Sequence, residues 1–293
     1  MNDGNGRANT DGGARARRPG RAAGFFKGFF KIRNEPTMAG RAFMSALCLG
    51  AVGALWVYVT RGTTAAERIV SPTALGSPEE VFGSFKGLWF DRALTRNLLI
   101  SLWRVIQGFG LAVLVGVPIG ILCGTFRRID AFFAPISVFG RNVPVVALVP
   151  LALLWFGTGE APKIGFLFIA CVAFVLVDAS RAVGDVASDY LDTAYTLGAS
   201  RWQVLTKVVI PLALPDIFNS VRLLFGLAFG YIIVAEALDM DSGIGVLIMQ
   251  SQRRGPREHV YLILLFITVV AYLLDRILFF LQRRLFPYRY GRG

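Results

Sequence analysis

Apolar residues recur along this chain in six blocks, at about 42–60, 98–124, 133–156, 164–180, 217–238 and 259–281. Shorter polar stretches separate them. A helix needs about 20 apolar residues to cross the hydrocarbon core of a bilayer. Inside that core only a helix or a closed barrel satisfies its own backbone. The pattern predicts an all-α membrane protein with about six transmembrane helices, in one membrane domain over 37–293. Residues 1–36 are rich in Gly, Arg, Asn and Ala and lack periodicity, which predicts a polar tail, disordered to about Gly24. Phe25, Phe26, Phe29 and Phe30, interleaved with Lys27, Lys31 and Arg33, suit a short helix on the membrane surface. The tail does not read as a secretory signal, because its charged region is long and no small-residue cleavage site follows the first apolar block.

Between blocks one and two, Ser77-Pro78-Glu79-Glu80 marks a helix start. Serine can cap, proline fits the first helical position, and carboxylates suit the positive end of the helix. The stretch between blocks four and five, 189–211, is the most informative. Leu191, Ala194, Tyr195 and Gly198 recur at helical spacing, as do Trp202, Leu205 and Val209 further on. Gly198 can end the first helix in a left-handed conformation. Ser200 can cap a second, with Gln203 reaching back as in a capping box. Pro211 is expected to close it. The result is two short helices joined at a sharp bend, too short to span. Two readings of their apolar surface stand side by side: a docking face for a partner, or an interfacial connector between two spans.

The third block carries Arg141, Asn142, Pro144 and Pro150. Two prolines remove helix hydrogen bonds, and the freed carbonyls need protein or water nearby. This predicts a broken helix lining a translocation path, with Arg141 and Asn142 close to it. The alternative is that Arg141 snorkels to the membrane surface. Asp178 and Glu236 lie near the ends of blocks four and five, where the expectation is a charge at the water interface, with Arg222 or Arg181 as a possible partner.

Composition sharpens this picture. The 293 residues are 55% hydrophobic, above the 45–50% or so of soluble domains, and mean hydropathy is +0.57. The net charge of +12 would suggest nucleic acid in a soluble protein. Here no RNA-binding aromatic motif or zinc pattern accompanies it, and the basic residues sit in tails and loops. With the N terminus inside, inner segments hold 18 of the 31 Lys and Arg residues and outer loops hold 9. Without residues 1–41 the two sides tie at 9, so the assignment of both termini to the cytoplasm rests mostly on the tail. Cys48, Cys123 and Cys171 each lie inside an apolar block and read as packing residues. One histidine, His259, with no metal-spaced cluster argues against an enzyme. A secondary transporter or channel is the other rival, and it has no need of a bent docking segment at 189–211. No Gly-x4-Gly-Lys-Ser/Thr phosphate loop occurs in the chain.

The spacing Asp192-Thr193-Ala194-x3-Gly198-x9-Val208-x-Ile210-Pro211 resembles the EAA loop of bacterial ABC importer permeases, with Asp192 for the usual Glu and Thr193 for Ala. Leu197-Gly198-Ala199-Ser200-Arg201 fits that family closely. The resemblance extends over roughly 71–287, through Gly116-Val117-Pro118-Ile119-Gly120, Val149-Pro150 to Gly157, Gly159 to Ile164, Ala235-Glu236, Gly243-Ile244-Gly245 and Leu274-Asp275-Arg276. It is nearest to the nitrate, sulfonate, taurine and bicarbonate branch. It implies a type I importer permease in a bacterial inner membrane, acting as a homodimer or with a similar chain. Two cytoplasmic ATPase subunits would use the ATP and Mg, so this chain would hold no cofactor. An outer binding protein would deliver a small anion. Asp192, Thr193, Ala194, Leu197, Gly198, Ala199, Ser200, Arg201 and Trp202 would form the contact with the ATPase.

Overall fold

The computed structural model describes residues 37–62, 67–72, 74–239 and 241–290. The tail and the surface helix expected at 25–33 lie outside them. The described residues are helical, with no strand among them. The chain divides into two compact units, 1–58 and 59–293.

The first unit is described by α1 (Met38–Val59), which buries no residue. The second unit opens with a loop that folds back on itself. Ala74 N–H donates to the Ser71 carbonyl at 2.8 Å, which closes a turn. α2 (Pro78–Gly83) starts as the sequence predicts. Ser77 Oγ accepts from Glu80 N–H, and the Glu80 carboxylate accepts from Ser77 N–H. The same carboxylate takes Arg68 at 2.8 Å, which holds its pKa down at about 2. A π turn follows at Gly87–Asp91, with His259 buried beside Gly87.

The long helices are α3 (Leu94–Thr125), α6 (Glu160–Gly184), α9 (Ile210–Asp239) and α11 (Glu258–Leu285). Together with α1 they are long and apolar enough to cross a membrane. The expected third span is α4 (Arg127–Asn142) and, after a 3-10 turn at Val145–Ala147, α5 (Leu148–Phe156). The two halves meet at 91°, so the proline-rich stretch does break its helix. Val143 and Pro144 are extended at the break. With that pair taken as one span the count is the expected six.

α3 and α6 run parallel in close contact. Residues 108, 112, 116, 120 and 124 of α3 are Gly, Ala, Gly, Gly and Gly, one small residue per turn on one face. A Cβ on Gly120 would lie 2.5 Å from the Leu176 carbonyl oxygen and 2.6 Å from Ala179 Cβ. Lipid tails are as apolar as leucine, so helix association here rests on such close van der Waals fit rather than on water exclusion. α9 completes the core. At one end Ala228, Phe229, Ile232 and Ala235 pack with Val105, Phe109, Phe166 and Cys171. At the other, Ala213 and Ile217 pack with Ala179, Val183, Val204 and Val209.

Pro211 does not end its helix, contrary to the local rule. α8 (Arg201–Val204) passes through a π turn at Leu205–Val209 directly into α9. Ile210 N–H donates five residues back, to the Leu205 carbonyl. The widened turn makes room for the ring of Pro211, which would clash with the carbonyl one normal turn behind it. Two further helices lie toward the end of the unit. α10 (Ile244–Arg254) lies between α9 and α11 and is not expected from the sequence, and α12 (Pro287–Tyr290) closes the described chain.

Candidate functional site

Three groupings carry residues whose chemistry exceeds packing. The first is the bend at 188–209. α7 (Ser188–Thr196) ends at Gly198, whose φ of +83° lies in the left-handed region. Nothing lies within 4 Å of a Cβ built there, so the demand for glycine comes from backbone angle, not crowding. Ser200 Oγ accepts from Gln203 N–H, and Gln203 Oε1 accepts from Ser200 N–H at 2.8 Å, the predicted capping box. Val204, Leu205 and Val209 turn inward onto Ala179, Ala182 and Val183. Asp192, Thr193 and Arg201 sit on or beside the outer surface, with Ala194 and Ala199 half-buried. Leu197 is 82% exposed and Trp202 68%, with Tyr190 and Tyr195 also exposed. The bend is fixed by its caps and anchored on one side, while Leu197 and Trp202 stand exposed on the other.

The second grouping is the broken span. Arg141, Asn142, Pro144 and Pro150 are all exposed on the single chain. The Arg141 guanidinium lies over the Phe174 ring of α6 at 5.8 Å, and Asn142 Nδ2 donates to the Val138 carbonyl at 2.7 Å. Val149 and Ala152 hold the second half against the core. The structure therefore gathers these four at one elbow.

The third grouping was not anticipated as a unit, and it lies at the end of α3, α6 and α9 remote from the bend. Glu236, expected at a water interface, is 0% exposed, and its partner is neither Arg222 nor Arg181. Its carboxylate accepts from Ser101 Oγ at 2.7 Å, from Arg104 Nη1 at 2.8 Å and from Gly245 N–H at 3.0 Å. Arg222 instead faces Asp275 at 3.1 Å on α11. Arg104 uses every donor it has. Besides Glu236, Nη1 donates to the Ser242 carbonyl at 2.6 Å, Nη2 to Ser242 Oγ at 2.8 Å and to Glu160 at 2.5 Å, and Nε to Glu160 at 2.6 Å. Lys163, also buried, lies 3.8 Å from Glu160 and 3.7 Å from Asp241.

The loop before α10 closes over this network. Gly243 N–H donates to Asn97 Oδ1 at 2.8 Å and Ile244 N–H to Ser101 Oγ at 2.9 Å. The unpaired amides at the start of α10 are thereby satisfied, and their positive end faces a carboxylate. A Cβ on Gly243 would fall 2.2 Å from Glu236 Cδ, and one on Gly245 2.2 Å from the Ile233 carbonyl oxygen. Gly243 and Gly245 are glycines because Glu236 and its helix approach too closely for anything else. The sequence holds a signal for the cluster, since Arg104 stands alone in an otherwise apolar block and such a charge needs a partner. It does not say which carboxylate, 132 positions away, supplies one.

Comparison with known proteins agrees with this architecture. Residues 116–287 match the family model described as the binding-protein-dependent transport system inner membrane component. The chain is 32% identical over 243 residues to the taurine transport system permease protein TauC of Escherichia coli, covering 81% of this chain and 88% of that one. It is 32% identical over 261 residues to the putative aliphatic sulfonates transport permease protein SsuC of Bacillus subtilis, covering 88% and 92%. It is 33% identical over 242 residues to the bicarbonate transport system permease protein CmpB of Synechococcus elongatus, covering 80% and 86%. The fold is similar to a chain of the inward-facing MetNI methionine ABC transporter, with a TM-score of 0.60 at 19% identity over 68% of this chain and 97% of that one.

Proposed function

This chain belongs to the binding-protein-dependent transport system inner membrane components, as an ABC transporter permease subunit, and from that premise we propose that it imports a small anion by coupling to a separate ATPase through the bend at 188–209. The observation that carries the reading is the geometry of Gly198. It holds two capped helices at a fixed angle, with Leu197 and Trp202 exposed beside it. Such apolar surface on a polar-capped turn suits a cleft in a protein partner. Asp192, Thr193, Ala194, Ala199, Ser200 and Arg201 make up the rest of the contact, with Asp192 offering a shorter acidic arm than a glutamate. ATP and Mg belong to the partner, whose closure on ATP moves the bend. Val204, Leu205 and Val209 pass that motion to α6, since they pack on its last turns.

The remaining parts follow from the same premise. Two ATPase subunits bind at the cytoplasmic side, where both termini also lie, in a bacterial inner membrane. A second permease copy, most simply the same chain, shares the pathway, and an outer binding protein delivers substrate. Residues 37–293 form the permease domain. The elbow at Arg141, Asn142, Pro144 and Pro150 lines the path. The relatives are named for taurine, aliphatic sulfonates and bicarbonate. On that basis the substrate class is a small sulfonate, taurine or bicarbonate, to which the branch resemblance of the sequence adds nitrate.

The test is co-purification from the native membrane. The unaltered chain is expected to bring an ATPase with it in equal amount. Gly198→Val, a β-branched residue forced to positive φ, should lose the ATPase and substrate-driven transport while remaining inserted. Gly198→Asn, which tolerates that φ, should keep both. Full ATPase recovery and transport with Gly198→Val would sink the docking reading.

A further inference from the structure

Glu236 and Glu160 share Arg104, but they are held differently. Glu236 is sealed in by a hydroxyl, a backbone amide and the guanidinium. Glu160 is 55% exposed, and among the described residues its charge partners are Arg104 and Lys163, each 1% exposed. It stands in the first turn of α6, directly after Gly157 and Gly159, whose φ values of +77° and +104° make the approach to that turn specific to glycine.

The carboxylate lies side-on against Nε and Nη2 of Arg104, at 2.6 and 2.5 Å. That two-point fork is how a guanidinium takes any planar or tripodal oxyanion. Lys163 adds a second buried cation at 3.8 Å. The seat opens on a cavity of about 950 Å³ whose lining includes Thr95, Arg96, Trp103, Gln107, Arg104 and Glu160. If the Glu160 side chain swings toward solvent, the buried Arg104 guanidinium faces that cavity with a vacated two-oxygen seat. Arg104 keeps Glu236 and Ser242 throughout, so the seat remains in place.

We propose that this is an oxyanion-binding subsite, at which a small sulfonate- or carboxylate-type anion exchanges with Glu160 on Arg104. Glu160 is the tethered competitor. It fills the seat when no anion is present and returns to it when the anion leaves, so binding stays weak enough for passage. The inference deepens the importer reading by assigning its anion a place on this chain, and it rests on that reading for the direction of travel.

The experiment uses the intact chain with whatever co-purifies, in nanodiscs without nucleotide. Methanesulfonate is the probe, and sodium chloride at equal ionic strength is the control, since chloride offers one acceptor atom where the fork matches two oxygens. Calorimetric titration is expected to show Glu160→Ala binding methanesulfonate at least tenfold more tightly than the unaltered chain. Its melting temperature, lowered by the loss of the bridge, should recover with methanesulfonate more than with chloride. Arg104→Lys in the Glu160→Ala background keeps a cation for Glu236 but lacks the fork, and should lose the gain. Should that double variant fail to fold, the affinity and the anion-specific recovery of Glu160→Ala decide alone. Equal affinity before and after Glu160→Ala, or equal recovery with chloride, overturns the subsite and leaves Glu160 a structural bridge. Presence or absence of the ATPase in the same preparation judges the importer reading separately.

Discussion

At the scale of single residues, the fold is decided where a carboxylate meets glycine. Glu236 needs donors because it is buried, and burying an unpaired charge is far more costly than pairing it. Two of its donors are side chains, but the third is the amide of Gly245, which reaches it only by bringing two backbones together. The cost of a methyl group there is readable from what it would strike. At Gly245 it meets the Ile233 carbonyl oxygen at 2.2 Å, and backbone cannot rotate aside. Gly245→Ala is expected to destabilise the chain by about 1–3 kcal/mol or more, read as a lowered melting temperature in detergent. Gly110→Ala is the matching control. It too replaces a glycine inside a helix of this unit, midway along α3, but nothing lies within 4 Å of a Cβ built there. Helix propensity then favours the alanine by up to about 1 kcal/mol, and melting should hold level or rise. Equal effects at the two sites would mean that the backbone approach at Gly245 is not as close as described.

At the scale of elements, features that depend on neighbours in sequence were legible and those that depend on distant partners were not. The capping boxes at Ser77 and Ser200 and the left-handed Gly198 follow from side chains within a turn of one another. The break in the third span follows from its prolines. Helix α10 went unread because its apolar run, Ile244 to Met249, is short and its latter half is polar. Pro211 misled because the rule for it is local, while its accommodation is not. The π turn takes its ring, and a second proline creates a vacancy that another helix fills. Pro215 has no N–H, so the Pro211 carbonyl loses its intrahelical partner. Tyr288 Oη donates to that carbonyl at 2.5 Å from α12, and the fully buried Gln282 of α11 donates to the Pro215 carbonyl at 3.0 Å. This gives a double-mutant cycle. Tyr288→Phe alone should cost about 0.5–1.5 kcal/mol. In a Pro215→Ala background, where residue 215 regains its amide, the same change should cost clearly less. Equal costs in the two backgrounds, measured by denaturation in mixed micelles, would show that the tyrosine acts by packing alone.

At the scale of the whole molecule, the membrane unit has two unlike ends, and neither end by itself tells the membrane which way to face. One end of α3, α6 and α9 carries the capped bend, and the other carries the Arg104 network and the α10 loop. Arginines and lysines flank both. Outside residues 1–41 the count of basic residues on the proposed topology is nine on each side. Positive charge near the first spans sets orientation by resisting transfer across the membrane, so the tail is the part of this chain able to break the tie. Replacing the eight Lys and Arg residues of 1–33 with glutamine leaves the spans and both polar networks untouched. The expected outcome is a mixed population, with part of the chain inserted upside down. The readout is a cysteine placed at the exposed Leu197, probed in intact cells with a membrane-impermeant thiol reagent. With the native tail that cysteine should stay unlabelled, since on the proposed topology the bend then faces the cytoplasm. With the neutral tail a substantial fraction should label, and transport should fall by the same fraction, because an inverted chain presents its bend where no ATPase exists. If labelling stays absent, orientation is fixed by the later loops, and the tail must be kept for another purpose. If the native chain itself labels, the bend faces outward and the coupling reading fails with it.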